Sequence, residues 1–307
     1  MGKRKKVVYD EDDLKELQKK KTPITDDSTV IELYESKNNK SLKDEQNFIK
    51  VITSQCSPIK TVVETLNGLL PSANFCFTKS QIILKAININ NSLVVNMELE
   101  AENFEEYDCQ VEKHCIGIKL ANFHKIINSI GSNNVLSLIV DKNDPNRLGI
   151  RVAVNEKDTI HNWRMNLLDT KPDEIGIIDI NNYPVVISIS SNYFQKICRD
   201  AGRHTTDFEI SRGSNEQLIL IFNSDNMQQE TTVGTSKENL TFLKNELPDE
   251  IIQGRYSLKD LITFSKCTSI SDRAIIYMSN TLPLMIQYSV GNLGKIQLFM
   301  KQVVAKN

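Results

Sequence analysis

Ten residues, Asn122–Gly131, return in altered form as Tyr193–Gly202, and this repeat limits the possible folds more than any other feature of the chain. Both copies keep Phe-x-Lys-Ile, then Gly five residues after the isoleucine: Phe123, Lys125, Ile126 and Gly131, then Phe194, Lys196, Ile197 and Gly202, 71 positions later. Pro58–Val63 and Ser257–Ile262 are looser echoes. Such self-similarity means one structural unit built more than once. Each copy reads as a short amphipathic helix. Ile59, Val62, Val63 and Leu66 fall on one helical face, as do Phe123, Ile126, Ile127 and Ile130. Phe194, Ile197, Cys198 and Ala201 repeat the spacing, and Leu258, Leu261, Ile262 and Ser265 follow it. Ser57-Pro58 predicts an N-cap followed by proline at the first helical position. Ser257 with Asp260 predicts a weak capping box, and Gly131 and Gly202 predict C-terminal stops.

The opposite faces carry the function-bearing signal. Lys196, Arg199 and Arg203 form a basic stripe, and Lys259 and Lys266, seven apart, are expected on nearly one helical face. Lys60 with Asn67, and Lys125 with Asn128, stand in the same place on the first two copies. A basic helix face alone is often only a solvated face. Four kindred helices with the same sidedness favour a shared surface, although Glu64, Asp200 and Asp260 interrupt it.

Charge and cysteine content narrow the class further. With 37 basic and 39 acidic residues the net charge is −2, which excludes a globally basic nucleic-acid binder but not a local positive strip. The six cysteines form no Cys-x-x-Cys pair, so all are expected to be reduced, buried thiols of a cytosolic or nuclear protein. Cys109, His114 and Cys115 lie close together but lack the second half of a zinc site. No apolar run approaches a membrane span, and no cofactor motif, P-loop or Gly-x-Ser-x-Gly is present. Neither cofactor, metal nor catalysis is therefore expected.

Residues 1–46 read as a charged, flexible extension, with Lys3–Lys6 as an import signal, a phosphate-seeking tail or a solvated terminus. Short β-branched runs then predict many strands, with Asp144-Pro145-Asn146 as a turn between two of them. A first domain over 47–168 and a second over 185–302 flank a connecting loop, 169–184, and a tail follows at 303–307. The loop is polar yet displays Ile175, Ile177 and Ile178, as loops pinned to a surface do. Many strands with few, one-sided helices give an α+β fold, helices on one face of antiparallel sheets.

Several segments, in order, resemble the eukaryotic-type DNA sliding clamp family, proliferating cell nuclear antigen. They are Leu99–Gly131, Phe194–Asp200, Asn162–Asp169 leading into Ile175-Gly176-Ile177, Pro283-Leu284, and Gly294 onward. The likeness spans about residues 47 to 301. It implies the DNA-clamp fold, in which repeated domains form a ring, helices line a channel for duplex DNA, and sheets lie outside. It further implies a non-catalytic role: tethering DNA polymerase and other replication and repair proteins, opened by an ATP-driven clamp loader, in the nucleus or a viral replication compartment. Lys60, Lys125, Lys196, Arg199, Arg203, Lys259 and Lys266 become the channel candidates. Ile87, Val94, Ile175, Ile177, Pro283 and Phe299 match the groove that clasps a partner peptide. Thr159–Met165 and Gln228–Thr235 match the edges that close a homotrimeric ring. The chain departs from the family in lacking an acidic tail, in its extension, and in Asn67 and Asn128 where lysine is common. The divergence fits an outlying lineage, cellular or viral. A checkpoint-type clamp subunit, or a processivity factor that closes no ring, is the rival on the same fold; an enzyme is the rival of another class.

Overall fold

Period-two alternation along the β-branched runs gives strands with one face inward, and these strands pair into three antiparallel sheets. The computed structural model describes residues 47–154, 159–176, 178–213, 216–224, 226–236 and 238–303. The 1–46 extension, Ile177 and residues 304–307 of the tail lie outside the described residues.

The first half runs β1 (Asn47–Thr53), α1 (Cys56–Leu69), β2 (Ser72–Thr78), β3 (Gln81–Ile87), β4 (Leu93–Glu100), β5 (Glu106–Cys109), β6 (Lys113–Lys119), α2 (Leu120–Asn128), β7 (Val135–Asp141), β8 (Asp144–Val154) and β9 (Thr159–Asn166). The second half runs β10 (Val185–Ser190), α3 (Ser191–Ala201), β11 (Asp207–Gly213), β12 (Gln217–Ser224), β13 (Met227–Val233), β14 (Leu240–Asn245), β15 (Ile252–Ser257), α4 (Leu258–Phe264), a 3₁₀ helix (Ser265–Ile270), β16 (Arg273–Met278), β17 (Leu284–Val290) and β18 (Gly294–Met300).

The halves repeat each other element for element, and the pairings repeat too. β1 lies between β5 and β7 as β10 lies between β14 and β16, and β2 lies between β3 and β6 as β11 lies between β12 and β15. The two halves join where β4 pairs with β18, Leu93 opposite Met300 through to Leu99 opposite Gly294. That joint fuses strands of both halves into one nine-stranded sheet, β14-β10-β16-β17-β18-β4-β3-β2-β6. In the repeat, β13 is the counterpart of β4 and β9 the counterpart of β18. β13 and β9 stand at the edges of the four- and five-stranded sheets, each with one neighbour. The alternating side chains of the nine-stranded sheet divide between two clusters. One, with Leu84, Val95, Ile286 and Leu298, belongs to the main core beneath the helices; the other, with Val186, Met285 and Phe299, lies apart from it.

Local signals fared unevenly. Gln55, not Ser57, is the N-cap of α1, which puts Pro58 at the third helical position. Proline is tolerated there because the first helical N–H groups have no intrahelical partner in any case. Ser257 caps α4 without a side-chain bond, so the expected box does not form. Gly202 caps α3, whereas α2 already stops at Ser129, ahead of Gly131. Asp144-Pro145-Asn146 belongs to β8, and the reversal is made by Lys142 and Asn143, whose N–H donates to Asp141 Oδ1 at 2.8 Å. β5 was hidden by its acidic Glu-Tyr-Asp-Cys composition. β14 was hidden by a bulge that interrupts its alternation and leaves Leu243 59% exposed.

The cysteine expectation needs correction. Cys76 on β2 and Cys115 on β6 are directly opposite in the register and disulfide-bonded. They are 39 residues apart in sequence, and only the strand register brings them together. Cys56, Cys109, Cys198 and Cys267 are free and buried, as expected. Burial pushes the Cys56 and Cys267 thiols up to about 12 and the Cys198 thiol higher still.

Candidate functional site

Among the described residues the four α-helices stand in a row: α2 beside α1, α1 beside α4 and the 3₁₀ helix, and those beside α3. The apolar stripes predict which face each helix buries. Ile59, Val62, Val63 and Leu66, then Phe123, Ile127 and Ile130, then Phe194, Ile197, Cys198 and Ala201 are all buried. α2 rests on β2 and β6, α1 on β17, and α3 on β10 and β16, all strands of the nine-stranded sheet. At two close helix contacts a facing side chain would have to shift to admit a Cβ. A Cβ on Gly68 would stand 2.5 Å from Thr263 Cγ2, and one on Gly202 2.3 Å from Ile262 Cδ1.

The 3₁₀ helix stitches the halves together. Ser269 Oγ meets Thr61 Oγ1 at 3.1 Å on α1, while Gln195 Nε2 on α3 donates to Ser265 O at 2.7 Å and Thr268 Oγ1 donates to Ser191 O at 3.3 Å.

The basic candidates divide into two groups. Lys125, Lys196, Arg199, Arg203 and Lys259 are exposed. Among the described residues no hydrogen bond or ion pair engages their side chains. Lys60 is half-buried, and its Nζ donates to Ile130 O at 3.1 Å, a cation set at the end of α2 where helix carbonyls lack partners. Lys266 pairs with Glu64 at 2.8 Å. It sits on the 3₁₀ helix, because α4 ends at Phe264, so the expected seven-residue α-helical spacing with Lys259 does not hold. Arg203 lies in the turn beyond α3. The uncommitted positive charge therefore concentrates on the second half, around α3.

Three of the six groove candidates, Ile87, Val94 and Phe299, lie on one line. Across the nine-stranded sheet, successive register partners are Val186, Tyr277, Met285, Phe299, Val94 and Ile87. Three of these, Ile87, Val94 and Phe299, were legible in the sequence; Val186, Tyr277 and Met285 were not. The unbroken apolar runs Val185–Ile187, Ala274–Met278 and Leu284–Ile286, which signal strands covered on both faces, were the available signal. From Met285 onward exposure rises along the line, from 0% through Phe299 at 8% to Ile87 at 36%, with Ile89 at the hairpin tip 80% exposed.

The connecting segment crosses this face. Leu168 N–H donates to Gly117 O, Asp173 Oδ2 accepts from Ile87 N–H at 3.0 Å, and Lys244 Nζ donates to Asn181 O. Ile178 packs on the cluster of Tyr183, Val186, Met285 and Phe299. Tyr183, fully buried, stacks edge-on with Tyr277 and donates to Pro283 O at 2.8 Å. Pro283 thus borders the line through Tyr183. Ile175 is half-buried on the segment, and Ile177 lies outside the described residues.

A polar line runs two residues further along the same strands. Asn96 Nδ2 donates to Gln297 Oε1 at 2.8 Å, and Gln297 Nε2 donates to Gln287 Oε1 at 2.8 Å. The next outward position on β4 is Glu98. Its burial pushes the carboxyl up, but hydrogen bonds from Asn96 and Lys295 outweigh this and hold it below its ordinary value.

Comparison with known proteins matches this architecture half by half. The model of the proliferating cell nuclear antigen N-terminal domain matches residues 49–174, and that of the C-terminal domain matches residues 176–303. The chain is 27% identical over 270 residues to a probable DNA polymerase sliding clamp 1 of Paramecium bursaria Chlorella virus 1, covering 86% of this chain and all of that protein. It is 26% identical over 260 residues to the proliferating cell nuclear antigen of Dictyostelium discoideum, covering 80% of this chain and 95% of that one. A probable DNA polymerase sliding clamp of Acanthamoeba polyphaga mimivirus is 24% identical over 305 residues, covering 87% of this chain and 64% of that protein. With both family models matched in order across the two repeated halves, the chain belongs to the proliferating cell nuclear antigen family of sliding clamps.

Proposed function

We propose that three copies of this chain join head to tail into a ring, that duplex DNA passes through it along the helix row, and that the ring tethers DNA polymerase and other replication and repair proteins. The observation that carries the ring is the internal joint. β18 and β4 make it within the chain, and their repeat counterparts β9 and β13 are left as edges, so the same joint is available between copies. A head-to-tail contact of this kind closes when its rotation divides the circle. The helix row would then continue from copy to copy, with its cations facing the channel. Lys60, Lys125, Lys196, Arg199, Arg203, Lys259 and Lys266 would meet phosphates, which position a duplex without reading its sequence. Binding is therefore salt-sensitive and indifferent to sequence.

Partner proteins dock a short peptide along the outer apolar line, beneath the connecting segment, with Ile87, Val94, Ile175, Ile177, Pro283 and Phe299 as the lining. The chain itself acts as a scaffold without catalysis, is opened by an ATP-driven loader, and works in the nucleus or a viral replication compartment. Sedimentation of the purified full chain tests the reading. A species three times the 34.9 kDa chain supports the ring. A monomer at every concentration favours the rival, a processivity factor or checkpoint-type subunit that closes no ring by itself.

A further inference from the structure

The Cys76–Cys115 bond lies on the side of the nine-stranded sheet where the connecting segment docks. Cys76 is opposite Cys115, and two residues along the same strands, hence on the same face, Asn74 is opposite Gly117. That second pair holds the start of the segment. Leu168 N–H donates to Gly117 O at 2.8 Å, Thr170 Oγ1 donates to Asn74 Oδ1 at 3.0 Å, and Asn74 Nδ2 donates to Lys171 O at 2.9 Å. The contact is close: a Cβ on Gly117 would be 2.4 Å from Thr170 Oγ1 and 2.5 Å from Leu168 O. β6 is the last strand of its sheet and pairs only with β2 in it, so the sulfur bridge is a covalent lock on the strand pair that the segment sits on. Cys76 is buried and Cys115 half-buried, which makes the Cys115 sulfur the approachable one.

We propose that Cys76–Cys115 is a thiol–disulfide exchange site, and that its redox state sets how firmly the connecting segment is held. A low-molecular-weight thiolate such as glutathione attacks Cys115 Sγ. The protein S–S bond breaks, Cys76 leaves as thiolate, and a mixed disulfide forms on Cys115. A second thiolate attacks the glutathione sulfur of that mixed disulfide and releases Cys115 together with glutathione disulfide. Two electrons enter the protein, and glutathione disulfide reverses the sequence. Once reduced, the two sulfurs part to van der Waals contact, and the neighbouring Asn74–Gly117 pair loosens with them. The four other cysteines are free and buried, so this is the one disulfide among the described residues.

The test uses the full chain equilibrated in glutathione buffers of stepped ratio, with alkylation and mass spectrometry for the thiols and hydrogen exchange for the backbone. The proposal requires reversible conversion of the pair. It also requires exchange at Leu168 and neighbouring amides of the segment to become at least threefold faster in the reduced form, with amides of β17 and β18 unchanged. Cys76→Ser with Cys115→Ser should show the fast pattern whatever the ratio. Equal segment exchange in the two wild-type states, or two alkylatable thiols at every ratio, overturns it. The wild-type states decide the matter even if the double variant fails to fold, and no peptide or DNA is needed, so the result is independent of ring closure and peptide docking.

Discussion

Basic side chains divide here into those already engaged within the fold and those with no partner among the described residues. Lys60 and Lys266 carry candidate charges that the chain itself already uses, at Ile130 O and at Glu64. Lys196, Arg199 and Arg203 carry no such partner among the described residues. Changing those three to Ala should lower the slope of log affinity against log salt by about 3, since each phosphate contact contributes about 0.9. Lys60→Ala should lower it by less than one and also loosen α2. Titrations on duplex DNA at several salt concentrations separate the two outcomes. Gly294 is a different case. A Cβ there would stand 2.1 Å from Glu98 O, a backbone atom that cannot move aside without disturbing the β4–β18 joint. Gly294→Ala should cost about 3 kcal/mol, at the upper end of overpacking effects, read as a lower urea midpoint. The buried thiols give a pH dependence. Cys56 and Cys267 titrate near 9 when unfolded and at about 12 when folded, so their contribution is whole below pH 9 and is lost as pH rises toward 12. Urea midpoints at pH 8 and pH 10.5 should show that fall.

At the scale of elements, the proposed groove rests on the six-residue line across the nine-stranded sheet. Its members differ in what they do for the fold. Phe299 is 8% exposed and packs with Met285, so Phe299→Ala should cost about 3 kcal/mol of stability and blur any binding result. Ile87, 36% exposed, and half-buried Val94 can be trimmed with less damage. Ile87→Ala with Val94→Ala should leave the melting curve within a few degrees and weaken capture of a polymerase tail peptide at least tenfold. Calorimetry on the purified variant checks both. The stripes that placed the helices were legible because a helix buries whichever face is continuously apolar. The apolar line was half legible: Ile87, Val94 and Phe299 followed from the family likeness, while the register that aligns Val186, Tyr277 and Met285 with them is set by strand pairings distant in sequence.

For the whole molecule the decisive feature is the repeat of pairings, not only of residues. Each half leaves one strand for β4-type and one for β18-type contact, and the chain uses one of each internally. Raising the protein concentration should therefore drive assembly to a closed trimer and no further, because a ring leaves no edge of this type unpaired. Light scattering that grew without limit would mean open filaments instead.

The sequence by itself determined the kind of fold, the buried faces of the α-helices among the described residues, and the family, because these rest on local periodicity and on motif order. Tertiary structure alone decided three things. Strand register joined Cys76 to Cys115, helix packing engaged Lys60 and Lys266, and alignment of five strand pairs made a single apolar line. Each depends on which distant residues become neighbours, and that is fixed by the pairing of strands and the close approach of helices, not by any window of the chain.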